Sequence, residues 1–232
     1  MGESFYISLE GEEVPVNVRR NAQAKRLTLR VDKTSGDIKL TLPKYVGLRK
    51  AEKFVVSNEQ WLIAERKTVE PHKIIGHGDQ ISFLGDHLTI EYTDQSPRSV
   101  SLDTDKLQVG GPYDMASVRL EKWLRAEAKK VLTERSHYHA ETLGVSFKRV
   151  SIGDMKSRWG SCSSSGTLRY SWRLVMAPFE VLDYVAAHEV SHIIEMNHSE
   201  YFWAHVARCV PDHMIRRRWL KTEGNALFKV RF

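Results

Sequence analysis

The sequence predicts an α+β fold, with a β-rich region over 1–110 and a helical region over 111–232. Three observations carry this reading. Leu27, Leu29 and Val31 alternate with polar residues, as do Ile38, Leu40 and Leu42, which is the two-residue period of a half-buried strand. Gly110-Gly111-Pro112 then breaks the pattern. Beyond the break, Leu120, Leu124 and Val131 share one face of a long helix that runs to about 142.

From the N-terminus, Phe5-Tyr6-Ile7-Ser8-Leu9 and Val14 to Val18 read as strands about a turn at Gly11-Glu12. Thr34-Ser35-Gly36-Asp37 reads as the turn between the next two strands. Residues 47 to 68 read as helix, anchored by Phe54, Trp61 and Leu62. Gly76-His77-Gly78-Asp79 opens a second β region through Ile81-Ser82-Phe83-Leu84, Leu88 to Tyr92 and Val100-Ser101-Leu102. After the long helix, Val150-Ser151-Ile152 is a strand. The run Lys156-Ser157-Arg158-Trp159-Gly160-Ser161-Cys162 and the stretch Thr167 to Trp172 then form a hairpin about Ser163-Ser164-Ser165-Gly166.

The next helix opens at Pro178, whose missing N–H costs nothing in a first turn, and Glu180 complements the positive end of its dipole. Val181, Val185, His188 and His192 follow on one face. His188-Glu189-Val190-Ser191-His192 is an HExxH sequence, and His198 lies six residues further on. Imidazoles four apart on a helix can share one metal ion, with Glu189 in reach of a water on it. Three protein ligands leave a position open, the arrangement of a catalytic rather than a structural zinc site. Asn197 tolerates the left-handed conformation that stops a helix and would swing His198 back to the metal. Ser199-Glu200 starts a further helix carrying Tyr201, Phe202 and Trp203.

Composition narrows the class. With 232 residues and 41% hydrophobic content the chain can bury a substantial core. Its two cysteines, Cys162 and Cys209, make no CxxC pair and no disulfide framework. The first residues carry no basic region followed by an apolar one, and no apolar run is long enough to span a bilayer, so a cytoplasmic protein without a membrane partner is expected. The net charge of +6 favours anionic partners weakly, and no nucleic-acid module accompanies the basic runs such as Arg216-Arg217-Arg218.

The run from Lys156 to Cys162, Ser171-Trp172-Arg173-Leu174 as a strand, the HExxH helix, and Asn197-His198-Ser199 with Phe202-Trp203 resemble the YgjP-like family of predicted metal-dependent hydrolases. Lys25 to Val31 and Trp219 extend the resemblance over nearly the whole chain. That family is grouped with zinc metallopeptidases and is similar in its helix to SprT-like proteases. The resemblance implies a zincin-like C-terminal half, one Zn2+ per chain on His188, His192 and His198, and Glu189 as catalytic base. The histidine spacing also equals that of metzincins, but Glu195 stands at their glycine and no later segment reads as a Met-turn.

A zinc metallopeptidase acting on peptides or proteins is thus the expected activity, with a metal-bound water activated by Glu189. Candidates for substrate binding or oxyanion stabilisation are Arg158, Lys156, Tyr201 and His205, and the sequence does not choose among them. Two other readings stay open here. One is a metal-dependent nucleotide phosphohydrolase in which Lys156, Arg158 or Arg173 binds phosphate. The other is a nucleic-acid-associated module with a structural metal.

Overall fold

Alternating apolar residues at the N-terminus close one side of a four-stranded sheet. β1 (Glu3–Leu9) and β2 (Glu12–Arg20) pair as an antiparallel hairpin, and β3 (Thr28–Val31) and β4 (Ile38–Leu42) complete the order β1-β2-β4-β3. The hairpin turn places Glu10 and Gly11 at φ 49° and 86°, the left-handed pair that a two-residue connection needs. Val16, Ile38, Leu40 and Leu42 form its fully buried interior.

The expected helix over 47–68 is two helices, α1 (Leu48–Val56) and α2 (Glu59–Lys67). Ser57 Oγ and Asn58 Nδ2 both donate to the Phe54 carbonyl, at 2.9 and 2.7 Å, and so compete with the backbone ladder at the break. Leu62 is buried as expected, whereas Trp61 is 41% exposed and Ala51 and Val55 take the anchoring role instead.

The computed structural model describes residues 3–32, 35–69, 73–155 and 158–232; Thr34 of the expected turn, and Lys156 and Ser157, lie outside these. The chain forms two compact units, Met1–His72 and Lys73–Phe232. The sequence-based division falls at 110, where the strand pattern stops.

In the second unit, β6 (Gln80–Phe83), β7 (Asp86–Thr93), β8 (Val100–Asp103) and β9 (Lys106–Gly110) form a sheet of order β6-β7-β9-β8. Its Ile81, Leu88, Ile90, Leu107 and Val109 share one core with the long helix α3 (Ala116–Leu143). That helix buries Ala116, Leu120, Leu124, Ala128, Leu132, Ser136 and Ala140, a step of four that keeps one face inward; Val131 is only partly buried. β5 (Lys73–Ile74) pairs with β13 (Val230–Arg231).

A third sheet leads to the histidines. β10 (Arg149–Gly153), β11 (Gly160–Cys162) and β12 (Thr167–Ser171) take the order β10-β12-β11, with β11 and β12 as the expected hairpin. The strand expected through Leu174 ends at Ser171; Trp172–Met176 is a buried 3-10 turn. α4 (Phe179–Ser191) follows, then α5 (Glu200–Cys209), α6 (His213–Thr222) and the single turn α7 (Gly224–Leu227). The fold is α+β.

α4 is buried nearly all round. Val181, Leu182, Val185, Ala186, Ala187 and Val190 give it apolar side chains on every face, so it sits inside the unit rather than on its surface. It packs on α3, α5, α6 and β11. Its Asp183 accepts from Arg135 Nε at 2.7 Å and lies 2.7 Å from His139 Nε2, tying α4 to α3.

Burial alone would push the Asp183 carboxyl up, but the hydrogen bonds and charges of His139 and Arg135 outweigh it and hold it below 3.8. A depressed carboxyl contributes stability that is present above its unfolded value, about pH 4, and is lost as pH falls through the folded value. Asp183→Asn should therefore cost about 3 kcal/mol at neutral pH in urea unfolding and should flatten the loss of stability below about pH 4. An unchanged acid limb in the variant would contradict this.

Candidate metal centre

The last turn of α4 delivers His188 and Glu189, and His192 follows as its C-cap, still in right-handed helical conformation at φ −65° and ψ −16°. The helix stops here, five residues before the expected stop at Asn197. Ser191 Oγ donates to the Ala187 carbonyl at 2.8 Å, and the Ile194 and Glu195 amides both donate to the Ser191 carbonyl at 3.1 Å, so the ladder closes on itself.

Asn197 is not in the left-handed region: the non-glycine residues there are Glu10, Leu84 and Thr104 among those described. Glu195 does the turning instead. Its carboxylate accepts from the Asn197 amide at 3.3 Å and from Asn197 Nδ2 at 3.4 Å. Ser199 then caps α5 by accepting from the Phe202 amide at 3.3 Å. Between these two fixed points His198 is returned to α4.

One candidate ligand atom from each of His188, His192 and His198 lies within 4.8 Å of the others. His188 Nε2 and His198 Nε2 are 3.1 Å apart, close to the roughly 3.3 Å edge of a tetrahedron with zinc–nitrogen bonds of about 2.0–2.1 Å. His192 Nδ1 lies 3.0 Å from the Glu195 carbonyl. A carbonyl can only accept, so Nδ1 carries the hydrogen and Nε2 keeps its lone pair for a ligand. Phe202 is the shared floor, with ring centroids 4.9, 4.4 and 4.7 Å from those of His188, His192 and His198.

The electrostatics suit ligation. Burial pushes His188 down to about 3, helped by His192, His198 and Arg217, and burial likewise lowers His192. Both rings are therefore neutral at physiological pH, the state that binds metal. Glu189 is 5% exposed, and its Oε2 has no hydrogen-bond partner. Burial pushes its carboxyl up to about 8 while Arg158 pulls it back. A dication beside it would favour the charged form. Neutral imidazoles with an unpartnered carboxylate alongside form a donor set that fits zinc.

Gly160 in β11 makes room for Glu189. A Cβ there would lie 2.6 Å from Glu189 Cγ and 2.7 Å from Cδ, so only glycine lets this strand approach the carboxylate. Sequence reasoning did not single out Gly160; a glycine inside a strand pattern was the available signal. Glu195 gave no such signal.

The other candidates are placed less centrally. Arg158 is exposed just before β11, and its charge is felt at Glu189. Tyr201 is 76% exposed and His205 is partly buried, both on α5, and no ring contact or hydrogen bond among the described residues joins either to the three histidines. Lys156 lies outside the described residues. Arg173 is not available to a phosphate: it is 4% exposed, donates to Asp154 at 2.9 Å, and donates to the carbonyls of Leu227 and Val230 at 2.9 and 2.8 Å.

The family model of the YgjP-like metallopeptidase domain matches residues 25–223. The chain belongs to the YgjP-like family. It is accordingly a metal-dependent hydrolase. Membership implies a divalent metal and peptide or protein substrates, and gives no support to nucleotide or nucleic-acid partners. No curated protein matches the chain. Among solved structures it is similar to the metallopeptidase zymogen of Pyrococcus abyssi abylysin, at 21% identity and TM-score 0.36 over 40% of this chain and 95% of that one. It is also similar to the metallopeptidase zymogen of Methanocaldococcus jannaschii jannalysin, at 21% identity and TM-score 0.33 over 38% of this chain and 93% of that one. No helix among the described residues of this YgjP-like chain is long and apolar enough to cross a membrane.

Gly160→Ala should force Glu189 out of its seat. We expect a stability loss of about 1–3 kcal/mol from overpacking, and a fall in hydrolysis on the order of 100-fold if the displaced carboxylate belongs to the reacting centre. Denaturant melts and peptide turnover measure the two effects, and wild-type turnover in this variant would contradict the assigned packing.

Proposed function

We propose that the chain is a zinc peptidase in which His188, His192 and His198 hold one zinc ion and Glu189 is the general base. The observation that carries this is the convergence of three imidazole nitrogens beside a buried carboxylate whose Oε2 is unpartnered. When bound, zinc supplies a Lewis acid that polarises a carbonyl and lowers the pKa of water from about 15.7 toward about 7.

The protein's own groups do the rest. His192 keeps its tautomer through the Glu195 carbonyl. Glu189, seated against β11 at Gly160, accepts a proton from the attacking water and returns it to the leaving amine. Among the described residues β11 has a sheet partner on one side alone, and an extended peptide pairing along its other edge would lie near Glu189. Arg158, two residues before that strand, is better supported than Tyr201 or His205 as the donor to a developing oxyanion, because its charge already reaches Glu189.

This reading places the chemistry in 111–232, since every residue it uses lies there. Cys162 and Cys209 are unpaired, which fits a reducing compartment such as the cytoplasm. As the test, Glu189→Gln should bind zinc as the wild type does and lose peptide hydrolysis by about 10²–10⁴-fold. Hydrolysis at the wild-type rate would remove Glu189 from the mechanism.

A further inference from the structure

Arg217 lies near His188, where its charge is felt, and is used by nothing so far. It belongs to α6, which packs against α4. Its guanidinium lies over the Trp203 ring, 4.7 Å from the centroid. Trp203 in turn has ring centroids 5.8 Å from His188 and 5.7 Å from His198, and stacks on His213 at 5.6 Å and 16°. His213 and Arg217, four apart on α6, thus grip one indole that touches two of the candidate ligands. Arg217 is close enough for its charge to bear on both His188 and Tyr184.

The neighbouring Arg216 is spent on Asp212. No carboxylate among the described residues forms an ion pair with Arg217, and the same holds for Arg158, whose charge bears on Glu189 from just before β11. Two guanidinium groups therefore act on a centre built for a cation, which they repel. Their field favours an anion arriving there. The stacking on Trp203 holds Arg217 in place in advance, so less side-chain freedom is lost when it binds. A planar fork held this way matches a carboxylate bidentately.

We infer that Arg217 anchors a substrate carboxylate next to the scissile bond, so that the preferred substrates are peptides with an acidic side chain or a free C-terminus at that position. This rests on the peptidase reading above and names the substrate class of that site. A residue that merely covered the indole would be indifferent to the charge of the peptide.

The test uses the zinc-loaded full chain carrying Glu189→Gln, so that binding is read without turnover. The probes are fluorescein-labelled decapeptides that differ only in Asp, Asn or Lys at one scanned position, each as free acid and as C-terminal amide. Fluorescence anisotropy should find a position at which Asp binds about tenfold tighter than Asn, or a free acid that binds about tenfold tighter than its amide. The first outcome identifies a side-chain carboxylate and the second the C-terminal one. Adding Arg217→Gln should abolish the preference, Arg217→Lys should keep part of it, and Arg217→Glu should turn it toward Lys peptides.

Equal binding of all the probes, or a preference that survives Arg217→Gln, would overturn the inference. Cleavage by the wild-type chain is followed in parallel. A charge preference without cleavage leaves the anchor standing and contradicts the peptidase reading; cleavage with no preference does the reverse.

Discussion

Burial of α4 on nearly every face is the constraint on which the rest depends. A helix of Val, Leu and Ala cannot present polar groups freely, so each one it carries must find a partner or remain unsatisfied at a cost. Asp183 finds Arg135 and His139 on α3. Ser191 turns back on its own backbone, and His192 is met by the Glu195 carbonyl. Among the described polar groups of α4, Glu189 is the one that keeps a buried oxygen with no partner. On the helix that carries His188, that oxygen is the one left open to a proton or a ligand.

The same burial explains the geometry of the histidines. α4 cannot bend, so the third imidazole must be brought to it by the chain that follows. The segment from His192 to Ser199 does so with hydrogen bonds accepted by the Glu195 carboxylate rather than with a glycine turn, and the Ser199 cap sets α5 so that Phe202 lies under all three rings. An apolar floor holds the imidazoles in place and keeps water from competing at their ring faces.

How much of this was legible beforehand differs by scale. The four N-terminal strands, the long α3, the β11–β12 hairpin and the three converging histidines follow from period and spacing, because those patterns are local. The end of α4 lies earlier than the sequence suggests, and the split between α1 and α2 is not visible in it. Both breaks are made by Ser and Asn side chains competing for backbone carbonyls, which compositional periodicity does not register. Arg173 looked like a surface cation and is instead buried against the carbonyls of Leu227 and Val230, more than fifty residues away in sequence. Gly160 and Arg217 gain their meaning from contacts between different elements, with Glu189 in one case and Trp203 in the other, which no single-element pattern registers.

The measurement that tests the central claim most directly is zinc content per chain, by elemental analysis, for the wild type and for His188→Ala and His198→Ala. The account predicts about one zinc in the wild type and a loss in both variants, since each removes one of three converging nitrogens. A wild type that takes up no zinc when it is supplied, or a His198→Ala chain that holds zinc as tightly as the wild type, would contradict it.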